Sequence, residues 1–124
     1  MLDYAEILGE PVQRFADVLE NLISVIQHYD LLIEENNDPF RDPPVLQEYM
    51  SQWDGEQFLE AMELATNMNV LEIGIGTGRI AAKVAPRCAH LTGIDISPKT
   101  IERAKENLKE YTNISFICVN FCRH

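Results

Sequence analysis

Three glycines at alternate positions, Gly74, Gly76 and Gly78, follow the apolar run Val70-Leu71-Glu72-Ile73. Lacking Cβ, glycine takes positive φ without steric penalty and lets a ligand approach bare main chain. A helix starting beyond such a loop points free N–H groups and a positive dipole end at the ligand, which suits a carboxylate or a phosphate. Asp95 closes the run Thr92-Gly93-Ile94, about twenty residues past the loop, where an acid at the end of a neighbouring strand accepts hydrogen bonds from ribose hydroxyls. The competing reading, that Asp95 only caps the next helix, is weakened because Ser97 fills that position. Glu72 falls inside a run that reads as a buried strand, where an idle charge would be costly.

The spacing narrows the chemistry. The dinucleotide fingerprint G-x-G-x-x-G, begun at Gly74, requires glycine where Arg79 stands; begun at Gly76, it requires glycine where Ala81 stands. No Gly-Lys-Ser/Thr follows, so the loop is not of the Walker type. The observed pattern is Glu-x-Gly-x-Gly-x-Gly, which disfavours a nicotinamide-dependent oxidoreductase.

The elements that must position these residues follow from periodicity. Residues 70–73 and 91–94 are short apolar runs that read as buried strands, and residues 114–119 read as a third. Between them, residues 78–86 read as a helix with Ile80, Ala81 and Val84 inward. Ser97-Pro98 opens another, to about residue 111, with Ile101, Ala104 and Leu108 inward. The order β-α-β-α-β implies right-handed crossovers and an α/β, three-layer Rossmann-like parallel sheet of order 3-2-1, incomplete in this chain.

Residues 1–66 have a different character and form an N-terminal helical extension or lid to the partial domain at 67–124. Val12, Phe15, Val18, Leu19, Leu22, Ile26 and Tyr29 recur at helical spacing, with Pro11 suited to the first turn. Asn36-Asn37-Asp38-Pro39 and Asp42-Pro43-Pro44 mark a loop. Short helices follow over about 45–52 and 56–65, the second with Phe58, Ala61, Met62 and Ala65 buried and with Asp54-Gly55 as its turn and N-cap.

The stretches VLEIGIGTGRIA and LTGIDISPKTIERAKENL, within residues 69–108, resemble motif I and the following acidic motif of class I S-adenosylmethionine-dependent methyltransferases. The resemblance implies that Gly74, Gly76 and Gly78 line the methionine part of S-adenosylmethionine. It implies that Glu72 helps hold the amino group of that cofactor, that Asp95 binds the ribose hydroxyls and that Ile96 packs on adenine. Asn120 stands where the family commonly carries an acid near the adenine amine. Family members continue through further strands that supply acceptor contacts and any general base, so the resemblance covers the N-terminal half of the domain and assigns no catalytic residue. The functional expectation is methyl transfer to an unidentified small-molecule or protein acceptor. The alternative is a cofactor-binding fragment that catalyses nothing alone, or a module that self-associates through the open edge of the first strand.

Composition sets outer bounds. Twenty acids against ten bases give a net charge of −10, which argues against a nucleic-acid partner. No run of eighteen apolar residues predicts a membrane span. The three cysteines, Cys88, Cys118 and Cys122, read as reduced thiols of a cytoplasmic protein, and Cys118, Cys122 and His124 as incidental rather than a metal site. Tyr29, Tyr49 and Trp53 read as packing aromatics that could alternatively face the pocket. His28 and His90 read as incidental, and Arg79 as a solvated first-turn residue.

Overall fold

The computed structural model describes residues 4–119, with side chains from Asp17 to Val119 except Leu19. Three parallel strands, β1 (Asn69–Ile73), β2 (His90–Asp95) and β3 (Ile114–Cys118), form one sheet in the order β1-β2-β3. This is the α/β arrangement and the 3-2-1 order that the motif spacing predicts. Register places Val70, Leu91 and Ile114 side by side on one face. That face packs on α4 (Ala81–Val84) and α5 (Pro98–Asn107) through Ala81, Val84, Ile101, Ala104 and Leu108, all buried. The inward residues are those the 3.6-residue period selects, apart from Ile80, which is only half-buried.

The first crossover helix is shorter than the predicted 78–86. Gly78 has φ +99, outside the helical region, so α4 begins only at Ala81. It gives way to a 3₁₀ turn at Ala85–Arg87 that contains Pro86. The second crossover helix stops at Asn107, before the predicted residue 111. Its start is as expected: Ser97 is the N-cap, with its hydroxyl accepting the Thr100 N–H at 3.1 Å and Pro98 in the first turn.

The opposite face of the sheet carries Leu71, Ile73 and Ile117, which are 57%, 81% and 48% exposed. Within the described residues β1 pairs with β2 alone, so its outer edge is open.

The extension is helical, as predicted, with different bounds. Helix α1 runs Tyr4–Glu34, so Pro11 lies inside it rather than in its first turn. It ends in a Schellman turn: Asn36 has φ +60, its N–H donates to Ile33 O at 3.0 Å, and Asn37 N–H donates to Leu32 O at 2.8 Å. Of the predicted stripe, Val12, Phe15 and Leu19 lie outside the described side chains. Leu22 and Ile26 are half-buried, and Val18 and Tyr29 are exposed. Helix α2 spans Pro44–Asp54 and α3 spans Glu56–Ala61. In α3 the buried side chain is Leu59, which reaches the core; Phe58 and Met62 are exposed, contrary to the face predicted for a longer helix. Asp54 ends α2 instead of capping α3, and Gly55 joins the two helices.

Candidate functional site

The loop between β1 and α4 is built from backbone that side chains rarely adopt. Gly74, Gly76 and Gly78 have φ of +77, +58 and +99. The three glycines serve different ends. A Cβ at Gly74 or Gly76 would point into open space, so those two leave main chain uncovered toward the cleft. A Cβ at Gly78 would lie 2.6 Å from Leu108 Cδ1, so Gly78 lets the loop pack on α5. The strand below supplies anchors: Gly74 and Ile75 both donate their N–H to Ile94 O, at 2.8 and 3.0 Å.

Asp95 stands at the end of β2, beside that loop. Its Oδ2 accepts the Gly76 N–H at 3.0 Å, and its Oδ1 accepts the Ser97 N–H at 3.1 Å. Its backbone carbonyl accepts the Val119 N–H at 2.9 Å, which ties the ends of β2 and β3. Each carboxylate oxygen has two lone-pair directions, so both keep capacity for a further donor. The carboxylate is held by main chain alone, in the orientation that faces the glycine loop.

Glu72 projects from β1 on the helix-covered side. Its Oε2 is buried with no hydrogen-bond partner among the described residues. Burial pushes the Glu72 carboxyl up to about 7, with the nearby Arg79 charge pulling the other way. A buried oxygen left unpaired in this way carries a desolvation cost that calls for an explanation, and Glu72 lines neither of the cavities at the loop.

Arg79 is not the solvated residue that its position suggests. Its guanidinium grips Asp54 with both terminal nitrogens, and Lys83 Nζ adds a contact to Asp54 Oδ1 at 3.4 Å. The Arg79 hydrogen bonds hold the Asp54 carboxyl below the usual aspartate range, and Lys83 adds to the effect. Sequence reading missed this pair because Asp54-Gly55 carries an ordinary turn signal.

Two adjoining cavities meet at the loop. The larger, about 560 Å³, is lined by Ile73, Gly74, Gly76, Ile94, Asp95 and Ile96, with Val25, Tyr29, Thr100 and Val119 completing its wall. The smaller, about 270 Å³, shares Tyr29, Gly76 and Thr100 and continues to Asp38 and Asp42. The structure thus brings Gly74, Gly76, Asp95 and Ile96 to one cleft, whereas Gly78 packs away from it. Tyr29 lines both cavities; Tyr49 and Trp53 are exposed on α2 and line neither. His90 bonds Ser115 at the surface, and His28 packs edge-on to Tyr29. Thr100 went unrecognised in the sequence, although its place three residues past the Ser97 cap was the available signal. Asn120, Cys122 and His124 lie outside the described residues. Among the described residues, no group of three His, Cys, Asp or Glu side chains is placed to hold a metal ion.

Comparison with known proteins finds similar sequences and folds. Residues 70–124 match the family model described as a methyltransferase domain. An rRNA adenine N-6-methyltransferase of Limosilactobacillus reuteri is 39% identical over 61 residues, 49% of this chain and 25% of that protein. Nodulation protein S of Sinorhizobium fredii is 41% identical over 49 residues, 40% of this chain and 23% of that protein. The solved N-methyltransferase NodS from Bradyrhizobium japonicum WM9, in complex with S-adenosyl-L-homocysteine, superposes with a TM-score of 0.58 at 30% identity. That match covers 81% of this chain and 48% of that one, so it extends beyond the sheet into the helical extension. Residues 70–124 are thus similar to the methyltransferase domain, and the fold to that of a solved S-adenosylhomocysteine-bound methyltransferase. The chain spans about a quarter of the length of these curated relatives. Because the relatives include a protein named for ribosomal RNA, the acidic balance alone does not exclude a nucleic-acid acceptor.

Proposed function

We propose that this chain binds S-adenosylmethionine in the larger cleft and serves methyl transfer to a small-molecule or protein acceptor. The observation that carries the reading is the Asp95 carboxylate, fixed by the Gly76 and Ser97 N–H groups beside main chain that no Cβ covers. Two features support the fit. The openings at Gly74 and Gly76 would be filled by any side chain, and the orphaned Glu72 Oε2 lacks the donor that an ammonium would supply.

When bound, the cofactor supplies an electrophilic methyl group on a sulfonium. Asp95 accepts from the two ribose hydroxyls, Ile96 and Ile94 offer apolar surface to the adenine, and Gly74 and Gly76 admit the amino-acid portion. Glu72 answers its ammonium. Gly78 contributes by packing, not by contact. Asn120 remains our proposed partner of the adenine amine. The extension, residues 1–66, forms a wall of the cleft through Val25 and Tyr29, and residues 67–124 form the binding body. The thiols of Cys88 and Cys118 are free, which supports a cytoplasmic setting. Among the described residues, no helix is long and apolar enough to cross a membrane.

A second reading, binding without catalysis by the chain alone, is favoured by its span of about a quarter of the relatives' length. Calorimetric titration with S-adenosylmethionine, S-adenosylhomocysteine and a reduced nicotinamide cofactor tests the proposal. Heat from the first two and none from the third is the expected result. Binding of the nicotinamide cofactor alone would overturn it. Release of S-adenosylhomocysteine in the presence of acceptors separates catalysis from binding.

A further inference from the structure

The glycine loop is held on its inner side by β2 and Asp95, but its outer side is held by the extension. Asn107, the last residue of α5, is the hub of one hold. Its Nδ2 donates to Thr77 O and to Asp38 Oδ2, each at 3.0 Å, and its Oδ1 accepts from Arg41 Nε at 3.2 Å. These bonds fix which end of the amide faces the loop. Asp38 is buried, its side chain 1% exposed, and it accepts as well from Phe40 N–H at 2.9 Å and from Arg103 at 3.3 Å. The second hold is the two-pronged Arg79–Asp54 pair, one residue past Gly78. Asp38, Arg41 and Asp54 all belong to the extension; Thr77 and Arg79 flank Gly78.

Resting on the cofactor reading above, we propose that Asn107 and Arg79 are positioning residues of the cofactor loop, set by Asp38 and Asp54 of the extension. Three positive-φ glycines leave the loop with more freedom to lose than any other segment of its length. The two holds restrict that freedom before a ligand arrives, so cofactor affinity depends on acids about twenty to forty residues earlier in the chain that need not touch the cofactor. A third extension-to-body pair, Glu56–Arg87, is exposed and touches no loop residue, and so serves as an internal control.

The experiment compares Asn107→Asp, Asp54→Asn, Asp54→Glu and Glu56→Gln with the parent chain. Loop amide hydrogen exchange at residues 76–78 is measured without ligand, and S-adenosylhomocysteine affinity by calorimetry. Asn107→Asp and Asp54→Asn should exchange faster at the loop and bind about tenfold more weakly, a change of roughly 1.4 kcal/mol, with far-UV circular dichroism unchanged. Asp54→Glu, which keeps the carboxylate, should recover most of the loss, and Glu56→Gln should match the parent. Unchanged loop exchange in both Asn107→Asp and Asp54→Asn would overturn the proposal even if the parent bound no cofactor, because that readout needs no ligand. Loss of affinity in Glu56→Gln equal to that in Asp54→Asn would also overturn it, by showing that general docking of the extension is responsible.

Discussion

Asp95 Oδ2 accepts the Gly76 N–H at 3.0 Å, so the acid that ends one strand holds open the loop that leaves its neighbour. This bond makes Asp95 a support for the loop, and on the proposed reading Asp95 is also a contact for the ligand. Replacing it removes two functions together. Asp95→Ala should lower S-adenosylhomocysteine affinity by about 1–3 kcal/mol for each charged hydrogen bond lost. Asp95→Asn, which keeps an acceptor oxygen, should lose less. Calorimetry on both variants checks the order; equal affinity of Asp95→Ala and the parent would remove Asp95 from the site.

Gly76 and Gly78 should fail differently. Gly76→Ala sets a methyl group into the cleft and strains one residue, costing about 1 kcal/mol of stability while blocking the ligand. Gly78→Ala drives a methyl into Leu108, and overpacking adds roughly 1–3 kcal/mol to the strain. Thermal melts should therefore fall further for Gly78→Ala, and ligand binding should be lost chiefly in Gly76→Ala.

Glu72 gives a signature in pH. Its folded value, about 7, lies above the ordinary glutamate range because the carboxyl is buried. Stability drawn from the neutral acid is thus fully present at low pH and is lost as pH rises through about 7. A cationic ammonium prefers the ionised form, so affinity should rise with pH up to about 7 and then level off. Glu72→Gln should flatten the profile in titrations across that range.

Acid should loosen the extension. Asp54 is held below the ordinary range by Arg79 first and Lys83 next. For Asp38 burial opposes ionisation, yet hydrogen bonds from Thr77, Asn107, Phe40 and Arg103 outweigh it. Both carboxylates stabilise the fold above their unfolded values and lose that contribution as pH falls through their depressed ones, below about pH 4. Limited proteolysis within residues 35–55 should quicken in that window, and Asp38→Asn with Asp54→Asn should show the same rate at neutral pH.

The sheet face that is exposed among the described residues should make the chain self-associate. Ile73 is 81% exposed beside the open edge of β1, and such edges template pairing. Light scattering should report species heavier than a monomer, reduced by Ile73→Lys. A clean monomer at high concentration would count against this.

The sheet and the cleft were legible because their signals are local. Alternate glycines need positive φ, Ser97-Pro98 needs a helix start, and Asp95 follows a strand by pattern. The body was therefore readable to within a few residues, save where the positive φ of Gly78 delayed α4 to Ala81. What stayed hidden was non-local. Nothing near Asp54 in sequence tells that Arg79 grips it, and nothing near Asn107 tells that it bridges Asp38 to Thr77. The extension differs in detail for the same reason: Leu59 is the buried side chain of α3, so the apolar face counted along the helix does not match what is buried.

Gly93 lies in the middle of β2, and a Cβ there would stand 2.2 Å from Ile75 Cδ1. The isoleucine between the first two loop glycines therefore rests directly on bare strand. The height of the glycine loop above the sheet is set by the missing atom at position 93, so a residue that lines neither cavity is the spacer on which the loop is levelled.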